Sequence, residues 1–185
     1  MTSPVGTVTV RDARTEDRAS VRALTLRAYE EYASIMTPGA WAGLERAVHS
    51  ALESREHAHR LVAELDGVIV GSVLLFPPSV DAYAGAAPPV SWPEVRMLAV
   101  GPDARGLGVG QLLMDECVRR ARADGAGAIG LHTSASMRAA MRLYDRMGFQ
   151  RVPEYDFQPE GAELVEAYRL RLDATAHSSP RADSP

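Results

Sequence analysis

Cysteine is nearly absent from this chain: Cys117 is the only one in 185 residues. A disulfide framework and a cysteine-rich zinc site are thereby excluded, and such usage fits a reducing compartment, with the cytoplasm as the expected location. His49, His57 and His59 form no metal pattern with a cysteine, so no metal is expected. Long apolar runs are missing as well. None approaches 18 residues, and residues 1–6 lack the basic segment and apolar core of a signal peptide, so neither membrane insertion nor export by that route is expected. Blocks of lysine or arginine are also lacking, and the net charge is −4, which removes the electrostatic footprint of a nucleic-acid binder.

What is present is the composition of one globular domain, 46% hydrophobic and 24% charged, long enough for a substantial core. Residues 1–6 read as an N-terminal tail, 7–172 as the domain, and 173–185, rich in serine, alanine and proline, as a disordered tail. Thr7 to Arg11 alternates like a short strand, and Thr15, Glu16 and Asp17 supply a cap and an acidic first turn for a helix whose apolar face is Val21, Leu24 and Ala28. A second helix starts near Pro38, carries Trp41, Leu44, Val48 and Leu52 at helical spacing, and ends before His57. Arg60 to Leu65, Asp66-Gly67 and Val68 to Phe76 read as a tight hairpin. The stretch from Pro77 to Pro93, with five prolines, is a loop too long for a routine connection.

Glu94 to Val100 then reads as a strand, and Gly108 to Asp124 as a helix with Val109, Leu112, Leu113, Cys117 and Ala121 inward and Asp115 paired with Arg119 outside. Ala128 to Thr133 is a buried strand and Ser136 to Met147 a helix ended by Gly148. Phe149 to Tyr155 and Glu163 to Leu172 are the last strands. The order of strand, two helices, three strands, helix, strand, helix and two strands is that of a mixed α/β fold with its central strand–helix units parallel.

Between the strand ending at Val100 and the next helix lies Arg105-Gly106-Leu107-Gly108-Val109-Gly110. The first turn of a helix has N–H groups without internal partners and the positive end of the helix dipole, so anions bind there. Glycines allow a diphosphate to approach those N–H groups, and Arg105 can add a charge-assisted contact. No Gly-Lys-Ser/Thr follows, which excludes a P-loop, and the spacing is G-x-G-x-G where a dinucleotide fold needs G-x-G-x-x-G. A diphosphate ligand of another type remains.

The pattern Q/R-x-x-G-x-G/A, met here by Arg105, Gly108 and Gly110, resembles the acyl-CoA signature of the GNAT superfamily of N-acetyltransferases. Glu94-Val-Arg-Met-Leu-Ala-Val100 before it and Ala140-Met-Arg-Leu-Tyr144-Asp-Arg-Met-Gly148-Phe149 after it resemble family elements in the expected order. The resemblance runs from about Val8 to Leu172 and is strongest from Glu94 to Phe149. It implies a mixed, mostly antiparallel sheet with flanking helices and two splayed parallel strands, Glu94 to Val100 and Ala128 to Thr133. Acetyl-CoA would be the acyl donor, its diphosphate held by Arg105, Gly106, Leu107, Gly108, Val109, Gly110 and Gln111, and its pantetheine by the main chain of Leu98, Ala99 and Val100. A homodimer is compatible with it.

Acetyl transfer to a primary amine needs a proton acceptor, and Glu94, on the strand that lines the cleft, resembles in position the base glutamate of some family members. The competing reading pairs Glu94 with Arg96 on the same strand face. His132 is the second candidate base, against a purely structural role. Main-chain N–H groups at Leu98 to Val100 would stabilise charge on the thioester oxygen. Tyr144 matches the family tyrosine that protonates the leaving thiolate, the alternative being a packing aromatic with its hydroxyl on a carbonyl. Where many members have an asparagine seven residues before this tyrosine, Met137 stands, and Ser134 or Ser136 could replace its hydrogen bond or cap the helix. The acceptor, a small-molecule or peptide amine, would lie among Tyr29, Glu30, Tyr32, Met36, Trp41, Tyr83 and Trp92. A non-catalytic acyl-CoA-binding module is the alternative.

Overall fold

The computed structural model describes residues 6–53, 58–78, 82–159 and 162–172. The tails at 1–5 and 173–185, residue 57 and part of the proline-rich loop therefore lie outside the described residues. The elements are β1 (Thr9–Asp12), α1 (Arg18–Tyr29), α2 (Pro38–Glu53), β2 (His59–Leu65), β3 (Val68–Phe76), β4 (Glu94–Val100), α3 (Val109–Ala123), β5 (Ala128–Ser134), α4 (Arg138–Met147), β6 (Gln150–Arg151) and β7 (Val165–Arg171). They build one sheet in the order β1-β2-β3-β4-β5-β7-β6. Every adjacent pair is antiparallel except β4 and β5.

That exception shapes the molecule. Both strands are seven residues long, yet they are in register only at Glu94–Gly130 and Val95–Leu131. Beyond Val95 they diverge, and a cleft opens between their C-terminal ends. On one face of the sheet α3 buries Leu113, Met114, Cys117 and Ala121 against Leu61, Val73, Val95, Ile129 and Leu131. Fully covering a side chain such as Leu113 or Ile129 contributes about 1.5–3 kcal/mol. On the other face α1 lies over β3 and β4, tied by a buried contact of 3.2 Å between the hydroxyls of Thr25 and Ser72.

The β2–β3 hairpin turns through Asp66 at φ 51° and Gly67 at φ 81°, the left-handed pair that a two-residue turn matching strand twist requires. Several local expectations need correction. The strand expected from Phe149 to Tyr155 shrinks to Gln150–Arg151 because Pro153, which has no N–H for a ladder, opens a 3₁₀ turn over Pro153–Tyr155. Leu112 is 40% exposed rather than inward. Asp115 accepts from Gln111 while Arg119 pairs with Glu116 one helical turn back, so Asp115 and Arg119 are not partners. The first helix starts at Arg18 after a 3₁₀ turn over Thr15–Asp17. There Asp17, not Thr15, accepts the backbone N–H of Arg14 at 2.7 Å.

Candidate active site

β4 hands the chain to the glycine turn. After Val100 come Gly101, a 3₁₀ turn over Pro102–Ala104, and then Arg105 to Gly108 leading into α3. Gly106 and Gly108 sit at φ 80° and 76°, and a Cβ on either would meet nothing within 4 Å. Glycine is therefore required by the left-handed backbone, and the space beside it is open for a ligand. Gly108 is the residue ahead of α3, whose first turn directs its N–H groups and dipole into that space. Gly71 on β3 fixes the helix start: a Cβ there would lie 2.6 Å from Val109 and 3.2 Å from the carbonyl of Ala99. Arg105 lies at this turn, with its guanidinium in a two-pronged pair with Glu31 at 2.7 and 2.8 Å. The cradle has the charge, opening and backbone that a diphosphate needs.

β4 itself is kinked. Met97 has φ 53°, and the pairing with β3 jumps from Leu74–Arg96 to Ser72–Ala99, so two residues of β4 oppose one of β3. The extra residue reverses the alternation of side chains. Val95 packs under α3 before the bulge, as do Leu98 and Val100 after it, while Glu94 and Arg96 point to the opposite face. Ala99 and Val100 pair with Ser72 and Gly71, and the Leu98 carbonyl accepts the Tyr29 hydroxyl at 3.3 Å.

On that opposite face a polar cluster surrounds Glu94, which is 1% exposed. Oε1 accepts the Tyr83 hydroxyl at 2.6 Å and faces His132 Nδ1 at 2.8 Å, while Oε2 accepts Arg96 at 3.3 Å. Burial works hardest against the carboxylate, but the hydrogen bond from His132, the charges of Arg96 and His132 and the Tyr83 hydroxyl together hold the Glu94 carboxyl below its ordinary value. Burial and then the neighbouring Glu94 charge push the Tyr83 phenol well above its ordinary value, so it remains a donor. His132 Nε2 faces the carbonyl of Tyr155 at 3.0 Å. A carbonyl only accepts, so a hydrogen at Nε2 satisfies this contact, and both ring nitrogens are engaged by neighbouring oxygens.

These residues close one side of a cavity of about 590 Å³, walled by α2 through Ala40, Leu44 and Ala47 and by Tyr83, Arg96, Met97, His132 and Phe157. Of the residues expected around an acceptor, Tyr29, Met36 and Tyr83 line it. Trp92 does not: it is buried against Gly130, where any Cβ would collide with its indole, and against Tyr155. Glu30, Tyr32 and Trp41 are not part of the lining either. Met137 and Ser134 are; Ser134 and Ser136 contact each other, and Ser136 donates to Glu163 at 2.6 Å. No side chain caps α4, so the capping role expected of these serines is not observed.

Tyr144 stands apart from this cavity lining. It is 6% exposed, packs against Phe149, and burial pushes its phenol above the ordinary value. Its hydroxyl forms no hydrogen bond among the described residues, so the alternative of a phenol tied to a carbonyl does not apply. Cys117, in the core under β4, has its thiol pushed up to about 12 by burial. It is therefore inert as a nucleophile. Among the described residues no group of three His, Cys, Asp or Glu side chains could hold a metal, and no helix is long and apolar enough to cross a membrane.

Two features of the cluster escaped the sequence: Arg96 is visible there only as an ion-pair partner for Glu94, and the joining of Tyr83, from within the proline-rich loop, to Glu94 carries no sequence signal.

Residues 19–149 match the model of the acetyltransferase (GNAT) family. The chain belongs to that family. A mycothiol acetyltransferase of Rhodococcus jostii is 41% identical over 58 residues, which are 31% of this chain and 19% of that enzyme. A Thermomonospora curvata mycothiol acetyltransferase is 28% identical over 80% of this chain and 48% of its own length, so the chain spans at most about half of these relatives. A Corynebacterium glutamicum structure described as histone acetyltransferase HPA2 and related acetyltransferase superposes with a TM-score of 0.65 at 24% identity, covering 91% of this chain and 98% of that one. That likeness is one of fold. The GNAT fold accounts for the single parallel pair in an otherwise antiparallel sheet.

Proposed function

We propose that this GNAT protein transfers an acetyl group directly from acetyl-CoA to a primary amine held in the 590 Å³ cavity. The observation that carries the reading is the adjacency along β4 of two devices: an anion cradle at the strand's end and a buried, ionised carboxylate at its start. A Salmonella typhimurium protein solved with its cofactor acetyl-CoA shares the fold, with a TM-score of 0.62 at 22% identity over 95% of this chain and 99% of that one.

Acetyl-CoA supplies an activated acyl carbon on a thiol leaving group. Gly106 to Gln111 and Arg105 bind its diphosphate, and the main chain of Leu98 to Val100 lines the way to the cleft and offers N–H groups to the carbonyl oxygen as charge develops there. The amine nitrogen forms the new C–N bond as the C–S bond breaks. Attack acidifies the N–H, so a carboxylate suffices to take its proton. Glu94 is screened from the cavity by the side chains around it, and the Tyr83 hydroxyl bridges the two: it takes the amine proton and passes its own to Glu94. Arg96 and His132 hold Glu94 in place. Tyr144, a phenol kept protonated and without an internal acceptor, gives its proton to the departing CoA thiolate. With Cys117 buried and protonated, no cysteine is placed to carry the acetyl group in a covalent intermediate.

The test is thiol release from acetyl-CoA across a panel of primary amines, comparing wild type with Tyr144→Phe. Turnover by wild type and a large loss in the variant is the expected result. Tight CoA binding without turnover on any amine would instead make the chain an acyl-CoA-binding module.

A further inference from the structure

The guanidinium of Arg96 is nine-tenths buried, with 10% of its side chain exposed. It is sandwiched between the rings of Phe76 and Tyr83, 4.4 and 4.5 Å from their centroids. Its acceptor among the described residues is Oε2 of Glu94, at a long 3.3 Å. Nε is buried with no partner. A buried donor left unpaired is costly, and a buried guanidinium normally spends its fork on two acceptors. Glu94 cannot supply them, because the same carboxylate also serves Tyr83 and His132.

The second orphan in the described residues is Thr133 Oγ1, buried and without a partner. Arg96 and Thr133 both line the cavity beside the apolar Met97 and Phe157, and α2 brings Ala40, Leu44 and Ala47 to the lining together with Arg46 and Ser50. The acidic group on this lining, Glu163, is engaged by Ser136. A volume of about 590 Å³ lies within the range of sites for small molecules.

We infer that the acceptor is an amino-carboxylate with an apolar body, its carboxylate received by the Arg96 fork and Thr133 and its amine turned toward Tyr83. This deepens the proposed acetyltransferase reading and rests on it for the fate of the amine. A carboxylate supplies the two coplanar acceptors that the fork lacks, in a planar geometry and with a charge that match the guanidinium. A neutral amide supplies neither fully, and a plain alkylamine adds a positive charge beside Arg96.

The experiment uses matched probes: L-phenylalanine, L-phenylalaninamide and phenethylamine, with L-methionine and L-methioninamide as a second set. In wild type, kcat/KM for each acid should exceed that for its amide by about 10- to 100-fold, the scale on which a site built for a charged group rejects a probe lacking it. Arg96→Met should collapse that acid-to-amide ratio towards unity, chiefly through KM for the acid, and Arg96→Lys should restore part of it. Preference for the amides or for phenethylamine in wild type would overturn the inference while leaving an amine acetyltransferase. If no amine turns over, the proposed function fails, and calorimetry with the CoA-loaded protein still decides this point. Binding of L-phenylalanine but not its amide, lost in Arg96→Met, supports the carboxylate site. Binding of neither, or of both alike, sinks it.

Discussion

The hydroxyl of Tyr83, within the proline-rich loop that joins β3 to β4, stands 2.6 Å from Oε1 of Glu94. The backbone of Tyr83 adopts φ 55°, a conformation that costs a bulky residue energy and persists where surrounding contacts enforce it. If this hydroxyl passes the acceptor's proton to Glu94, Tyr83→Phe should lower kcat by about 100-fold or more, the usual scale of general base assistance. Binding of CoA, measured by calorimetry, should change little because the cradle lies at the other end of β4. An unaltered kcat would remove Tyr83 from the proton path.

Acid should act on the Glu94 cluster in a definite direction. The folded state holds this carboxyl below its ordinary 4.5, so on acidification the unfolded chain takes up the proton first. The stability this difference contributes is present above the unfolded value and is lost as pH falls through the folded one. Urea unfolding between about pH 5 and pH 3 should therefore show a steeper loss for wild type than for Glu94→Gln, the remaining carboxylates being common to both. Parallel curves would mean that Glu94 is not held as the anion.

Arg105 must exchange partners to meet a phosphate, because its fork lies on Glu31. The pair is surface-exposed, and such pairs are worth about 0.2–1 kcal/mol. Glu31→Gln should accordingly tighten CoA binding by up to about fivefold, most visibly at low salt, as read by titration calorimetry. Weaker binding would show that Glu31 orients Arg105 rather than competing for it.

The seat of α3 on β3 can be tested with one methyl group. Gly71→Ala would bring its Cβ to 2.6 Å from Val109, 3.0 Å from Leu113 and 3.2 Å from the backbone of Ala99. Overpacking of this kind costs about 1–3 kcal/mol. Thermal unfolding should report that loss, and CoA affinity should fall with it if the displaced helix start holds the diphosphate as proposed.

Periodicity and turn chemistry explain what was legible in the residue order. Glu94 to Val100 alternates between good strand formers and a Gly-Pro stop, and the observed strand has those bounds. Asp66-Gly67 announced its hairpin, and the glycines announced a turn of positive φ at Gly106 and Gly108 ahead of α3. The bulge at Met97 had no such announcement, since methionine is not a residue that favours positive φ. Leu112 obeyed helical spacing but lies on an exposed flank of α3. A spacing of two places Arg96 on the same strand face as Glu94, which offers their ion pair as the competing reading of that carboxylate. That Glu94 is divided among three donors depends on a tyrosine from a loop and a histidine from β5, and no local pattern encodes that convergence.

The left-handed residue in β4 works as a phase shifter. One strand presents its early side chains to one compartment and its later ones to another, with Met97 as the boundary. Positions 94 and 96 can thus be rewritten without touching the residues that seat α3, and drift beneath the helix leaves the cluster on the other face intact. In the proposed acetyltransferase, a single extra residue would make donor grip and acceptor choice separately adjustable.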